Sequence, residues 1–370
     1  TLGVLGLVFL LLRDWFLRYA YVLWVCAVIG VNCKKADWRS KGRGKTAEAA
    51  AWEMCDRVNA RFIFDSVVTL GGFWVKMAQT ASVVSILPDV YGEELSKLQD
   101  AMPSDSMLEV EKVLRQELGK DWQEMVLLHP GPPLGSATIA QVHRATFRRR
   151  RAGGVVEEVP GVLKVQHKNV RSRLVIDIYA SGLLSKLLVK LVPHLFSDLH
   201  AILKDLAAIS MAELDFNHEA ASQEEARAAL LTSKLSVIVP EVFPEFTTRR
   251  LIGMEYIDGV KITEFAGSPR EERHRIVTTL MDYYAFTMHG PIFNMDPHPG
   301  NLLIEKGTGR LCVLDWGQAR RLTPNERCAY AKIFIAASMQ DSHLMIEGCA
   351  ALGFVFGDPH GKPDPAPPTM

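Results

Sequence analysis

The sequence has no excess of charge of either sign: 42 lysines and arginines stand against 42 aspartates and glutamates. No global field draws the chain to nucleic acid, so an electrostatic partner must be met by a local patch. Its six cysteines (Cys26, Cys33, Cys55, Cys312, Cys328, Cys349) contain no CxxC pair and no regular spacing. That argues against a zinc knuckle and a disulfide framework and suits a reducing compartment. There is no HxxxH helix pattern either, which argues against a metallohydrolase built on Asp296, His298 and His289. The apolar runs at 2–12 and 19–33, split by Arg13, Asp14 and Arg18, are each shorter than the roughly 20 residues of a spanning helix. A helical hairpin, an interfacial segment, one spanning helix from Tyr19 onward, or an apolar helix docked on the protein all satisfy that pattern. The basic cluster that follows (Lys34, Lys35, Arg39, Lys41, Arg43, Lys45) suits anionic headgroups or a solvated linker.

What is present is ordinary globular material, 48% hydrophobic and 23% charged, enough to bury a core. The absence of an initial Met and the Pro-rich "GKPDPAPPTM" suggest a piece of a longer protein. The pattern is helical from Lys45 to about Val75, and Ser106 with Glu109 reads as a capping box opening a helix that ends at Gly119. From about residue 127 the character changes to Val-, Ile- and Thr-rich strands, with "RRRRAGG" as a solvated hairpin tip. Those arginines lack neighbouring aromatics, which disfavours a nucleic-acid patch. Helices return from about Val170 to Leu231. After Gly259 the chain is mainly helical, with a short strand pair near Leu302–Leu303 and Leu311–Leu314.

The chemistry gathers around "FNMDPHPGNLL", Phe293 to Leu303. Taken alone this is a polar turn stiffened by Pro and Gly. Asp296 precedes Asn301 by five residues, however, and Asp315 follows in "LCVLDWG" at the end of an apolar strand. That is the order and spacing of a kinase-type catalytic loop, in which the first Asp orients the nucleophile while Asn and the second Asp hold metal on nucleotide phosphates. Upstream, Lys164 lies inside the apolar strand "GVLKVQH", either at a solvent-facing edge or aimed at phosphate, with Glu219 as its candidate carboxylate. "PLGSATIAQVH" occupies the position of a phosphate loop but has one glycine, Gly135, followed by Ser136, Ala137 and Thr138. In "LIGMEYIDG" a strand runs into a hinge, where the backbone of Glu255 and Ile257 is placed to meet an adenine edge.

Together these residues resemble the UbiB family of atypical kinases, the aarF-domain-containing kinases, from about Asn59 to Gly353. "FWVKMAQTASVVSILPDVYGEELSKLQDAMP" is similar to the family's KxGQ segment, "SATIAQVHRA" to its Ala-rich loop, "ELDFNHEA" to its ExD segment, and "DPHPGN" to its signature. The resemblance implies an α+β, protein-kinase-like two-lobed fold whose N-terminal helical extension lies over the active site. It divides the chain into an apolar segment with a basic flank (1–45), the extension (46–126), an N-lobe (127–259) and a C-lobe (260–370). It places Lys76, Gln79, Glu213 and Asp215 near the nucleotide, pairs Lys164 with Glu219, and makes Asp296 catalytic with Asn301 and Asp315 on magnesium. Four departures stand out: Ala78 for the Gly of KxGQ, Asn294 for a usual His, Ser222 for the Asn of EAxN, and Trp316 for the Phe of DFG. Gly135 in addition replaces an alanine of the loop.

The expectation is an enzyme that binds ATP or ADP with magnesium and phosphorylates a small or lipid-like substrate, or couples ATP hydrolysis to isoprenoid-quinone (ubiquinone or plastid prenylquinone) metabolism. The partners implied are nucleotide, a lipid or quinone-related molecule and a membrane surface, without nucleic acid, in a mitochondrion or plastid. Two alternatives stand beside it: a nucleotide-binding scaffold with weak turnover, and a protein Ser/Thr kinase.

Overall fold

A computed structural model describes residues 2–83, 88–99, 104–150, 156–191, 199–296 and 298–354. The RRRRAGG tip falls largely on 151–155, and the Pro-rich C-terminal run on 361–370, outside the described residues. Chain contacts divide the protein into two compact units, 1–217 with 243–256, and 218–242 with 257–370.

The first unit opens with helix α1 (Leu2–Ser40), so the two apolar runs form one continuous helix rather than a hairpin. Helices α2 (Lys45–Leu70), α3 (Gly72–Val83) and α4 (Asp89–Leu95) follow. The predicted single helix from Lys45 to about Val75 is broken, because Gly71 and Gly72 take φ of 63° and 54°, a conformation that side chains with a Cβ rarely adopt. The break turns α3 so that Phe73, Trp74, Val75 and Ala78 are all buried. Helix α1 is fastened along one face. Arg18 donates to both oxygens of Asp177 (2.9 and 2.8 Å), and Asn32 donates to Asn59 at 2.8 Å.

Helix α5 (Met107–Leu118) begins after Ser106, but the predicted capping box does not form. Glu109 instead pairs with Lys112 at 3.0 Å and Lys168 at 3.1 Å, cations that outcompete a backbone amide for its carboxylate. A twisted sheet follows, built from β1 (Val126–Leu128), β2 (Gly135–Ser136), β3 (Ala140–Arg150), β4 (Val156–Gln166), β6 (Val242–Phe243) and β7 (Leu251–Glu255). Its order is β1-β3-β4-β7-β6, with β2 paired to β3. Val110, Leu114, Trp122, Phe147, Leu163, Phe243, Phe246 and Leu251 fill the space between α5 and the sheet. Phe147 crosses the sheet so closely that a Cβ on Gly161 would meet its ring at 2.6 Å. Helices α6 (Val170–Leu191) and α7 (Leu199–Ala212) pack on α3 around Phe73, Leu174 and Leu203.

The second unit carries most of helix α8 (Phe216–Leu231), then α9 (Arg270–His289), α10 (Pro324–Met339) and α11 (Ser342–Ala351). A small sheet runs β5-β11-β10-β8, from Val237–Ile238, Leu311–Val313, Leu302–Glu305 and Gly259–Lys261. Its antiparallel β10–β11 pair registers Leu302 with Val313, which realises the predicted strand pair. A two-stranded ladder joins β9 (Phe293–Asn294) to β12 (Ala319–Arg320). A capping box is present in this unit, at Thr323 and Glu326, where Pro324 presets the first helical turn of α10.

Candidate active site

In the second unit the apolar strands β9, β10 and β11 bring both ends of the loop back to one place. Leu302, Leu311 and Val313 are drawn into the core, so the polar residues between them are left at the strand ends. Asn294, 1% exposed, is the organiser: its amide nitrogen donates to the Asp315 carbonyl at 2.7 Å, and its amide oxygen accepts the Asp296 N–H at 2.9 Å. One side chain therefore fixes the backbone of both aspartates. Asn301 Nδ2 donates to Asp296 Oδ2 at 3.0 Å, which turns its amide oxygen the other way. Asp315 Oδ1 accepts the Gly317 N–H at 2.9 Å. A Cβ on Gly317 would lie 3.2 Å from Asp315 Oδ1 and 3.6 Å from Glu219 Oε2, so these carboxylates flank that glycine. Glu219 is buried on the first turn of α8. Burial, with the Asp296 charge beside it, pushes the Tyr284 phenol up to about 12.

His298 accepts the Gly300 N–H on Nδ1 at 3.0 Å and caps the 3₁₀ turn that presents Asn301. Trp316, fully buried, sits edge-on to Tyr283 with centroids 6.5 Å apart, and so packs where a Phe was expected. Asp315 and Asn301 carry the oxygen donors a hard divalent cation takes, in the number used when substrate phosphates complete the shell. The donor set therefore fits magnesium.

In the first unit Lys164 is not at an edge. β4 lies between β3 and β7, with Lys164 registered against Val142 and Ile252. Its Nζ stands 5.4 Å from the centre of the Phe216 ring. Lys76, on α3, forms an ion pair with Glu213, which follows the end of α7. Gln79 is one turn further along α3 and half-buried. Asp215 accepts from Asn217 N (3.2 Å) and Asn217 Nδ2 (3.0 Å) and faces Arg249 at 3.9 Å. Ala78 lies mid-helix with its methyl buried among Tyr91, Leu95 and Ala60, so this departure is absorbed by packing without backbone strain. Gly135 is part of β2, and nothing lies within 4 Å of where its Cβ would be. Ser136, Ala137 and Thr138 continue into the turn to β3, closed by Ala137 N–H to the Ala140 carbonyl at 2.8 Å. Glu255 ends β7, registered against Gly161, and Ile257, in the second unit, is buried.

In the sequence Asn294 reads only as a departure from the family pattern. The signal for its role is its place two residues before Asp296, where an amide side chain bonds the backbone ahead of it. Residues 97–349 match the ABC1 atypical kinase-like domain. The chain belongs to that family. Among its relatives, AarF domain-containing protein kinase 1 of Mus musculus is 30% identical over 289 residues, 75% of this chain and 52% of that protein. The chloroplastic protein ACTIVITY OF BC1 COMPLEX KINASE 8 of Arabidopsis thaliana is 28% identical over 310 residues, 80% of this chain and 39% of that one. The chain spans about half the length of such ABC1 relatives. A solved Mycobacterium tuberculosis structure, the Rv3197–erythromycin complex, shares the fold with TM-score 0.55 and 23% identity, covering 84% of this chain and 77% of that one. The fold is therefore kinase-like, with an N-terminal helical region added.

Proposed function

We propose that this ABC1 protein is a magnesium-dependent ATP-binding phosphotransferase or ATPase. The observation that carries the reading is the Asn294 amide, which ties Asp296 and Asp315 to one side chain while Asn301 bonds Asp296. A buried amide with both ends satisfied holds its partners rigidly, as phosphoryl transfer requires of its carboxylates. Asp296 takes the proton of the attacking hydroxyl or water. Asn301 and Asp315 would hold magnesium, which neutralises charge on the phosphates when bound. Glu219 is assigned, with Lys164 and Lys76, to the catalytic set that includes Asp296. Lys164, the backbone from Gly135 to Thr138, Lys76, Gln79, Glu213 and Asp215 are assigned to the nucleotide, and Glu255 and Ile257 to the adenine.

The acceptor is proposed to be small or lipid-like, with a role in isoprenoid-quinone metabolism that rests on family resemblance. The chloroplastic Arabidopsis relatives favour a plastid over a mitochondrion. Membrane association is supported by α1, whose stretch Trp15–Ser40 is long enough to cross a membrane and includes 18 consecutive residues with a mean hydropathy of 1.6. Asp296→Asn is expected to lower magnesium-dependent ATP turnover by at least a hundredfold while nucleotide still binds. Unchanged turnover would remove Asp296 from the mechanism. The scaffold alternative predicts that labelled ATP is released intact in a single-turnover experiment, whereas the enzyme reading predicts labelled ADP.

A further inference from the structure

The loop from Gly135 to Ile139 is held from one side by a chain of polar contacts in the first unit. Gln141, 1% exposed, clasps the backbone of residue 105: its Oε1 accepts Asp105 N–H at 2.6 Å and its Nε2 donates to the Asp105 carbonyl at 3.2 Å. Asp105 Oδ2 in turn accepts Lys168 N–H at 2.7 Å and lies 3.4 Å from His167 Nδ1. The other ring nitrogen, His167 Nε2, is 2.9 Å from the Ala137 carbonyl oxygen. A carbonyl can only accept, so Nε2 must carry a hydrogen and donate. Next along the chain, Lys168 pairs with Glu109 at 3.1 Å.

A trans peptide is planar, with its C=O and N–H pointing in opposite directions. Pinning the Ala137 carbonyl toward His167 therefore turns the N–H of Thr138, the other half of the same peptide, away from the histidine. The His167 N–H also donates to the Ile139 carbonyl at 2.9 Å, so the loop is held on both sides of Thr138. We propose that His167 is a positioning residue that sets the Ala137–Thr138 peptide so that the Thr138 N–H serves as a phosphate donor. Asp105, just ahead of α5, orients the imidazole and makes the setting depend on the segment that joins the helical region to the sheet. A loop poor in glycine gains from this support. It has one glycine to let its peptides turn, and a side-chain latch selects the orientation that backbone freedom would otherwise leave open.

The inference rests on the nucleotide-binding reading, and the test separates the two. Binding of ATP and of adenosine to the purified full chain is measured by calorimetry for wild type, His167→Phe, His167→Gln and Asp105→Ala. Loss of the Thr138 N–H to phosphate hydrogen bond predicts that His167→Phe weakens ATP by about tenfold with adenosine unchanged. His167→Gln, which keeps an N–H at the Nε2 position, restores ATP affinity to within about twofold, and Asp105→Ala loses about threefold for ATP alone. Should His167→Phe fail to fold, the other two variants carry the same comparison. ATP affinity unchanged in His167→Phe and Asp105→Ala, equal losses for ATP and adenosine, or no rescue by Gln overturns the latch. Wild-type protein that binds neither ligand overturns the nucleotide reading, and the latch with it.

Discussion

At the scale of single residues, two buried amides position backbone, Asn294 in the second unit and Gln141 in the first. Asn294 sets two aspartates and Gln141 sets a third, and each does so by satisfying backbone groups that would otherwise be costly to bury. Buried Asp177 shows the opposite case. Burial raises its pKa from 3.8 to about 6, against the pull of Arg18, which lowers it. The folded state therefore binds this proton more tightly than the unfolded chain between about pH 4 and 6. Stability from this group is greatest below pH 4 and declines as pH rises through 6, by on the order of 1 kcal/mol per unit. The melting temperature of wild type relative to Asp177→Asn should fall steadily from pH 4 to pH 6.5. A flat difference would show that Arg18 compensates the burial fully.

At the scale of elements, α1 and the large sheet make distinct predictions. Leu17, Trp24, Val31 and Trp38 recur every seven residues on α1 and are 55%, 50%, 50% and 77% exposed, while Val22 and Ala36 are buried. A helix pinned by Arg18 to Asp177 along one face and apolar along the other suits lying in a membrane surface, with Lys34, Lys35 and Arg39 at its end against headgroups. The protein should co-sediment with anionic vesicles more strongly than with zwitterionic ones. Replacing Trp24 and Val31 by Gln should weaken this severalfold; equal sedimentation of the variant would refute the arrangement. In the sheet, Gly161→Ala would drive a methyl to 2.6 Å from the Met254 carbonyl and from the Phe147 ring. Overpacking of this kind typically destabilises by about 1–3 kcal/mol, to be read from denaturant midpoints at constant m. Gly135→Ala, with open space at its Cβ, should cost far less.

At the scale of the whole molecule, ligand binding should appear as stability. ATP with magnesium at 100 times the dissociation constant adds about 2.7 kcal/mol to the folded state. A scan with ATP alone, then with ATP and magnesium, should show two increments in melting temperature. Asp315→Asn should remove the second and keep much of the first, whereas an identical response from the variant would take Asp315 out of the metal's shell.

Much of this was legible in the chain itself. The spacing of Asp296, Asn301 and Asp315, the strand around Lys164 and the β10–β11 pair are local facts, because apolar alternation and turn residues act over a few positions. The break at Gly71–Gly72, the missing cap at Ser106 and the continuity of α1 were decided elsewhere. Each depends on partners far along the chain: Asp177 for Arg18, Lys168 for Glu109, and the core around Trp74 and Val75 for the turn of α3. The sequence by itself determined the kinase-like order of elements and which residues carry charge and oxygen donors. Only the tertiary structure decided that Asn294 joins two aspartates and that His167 reaches Ala137, since a hydrogen bond between distant residues is fixed by packing, not by local propensity.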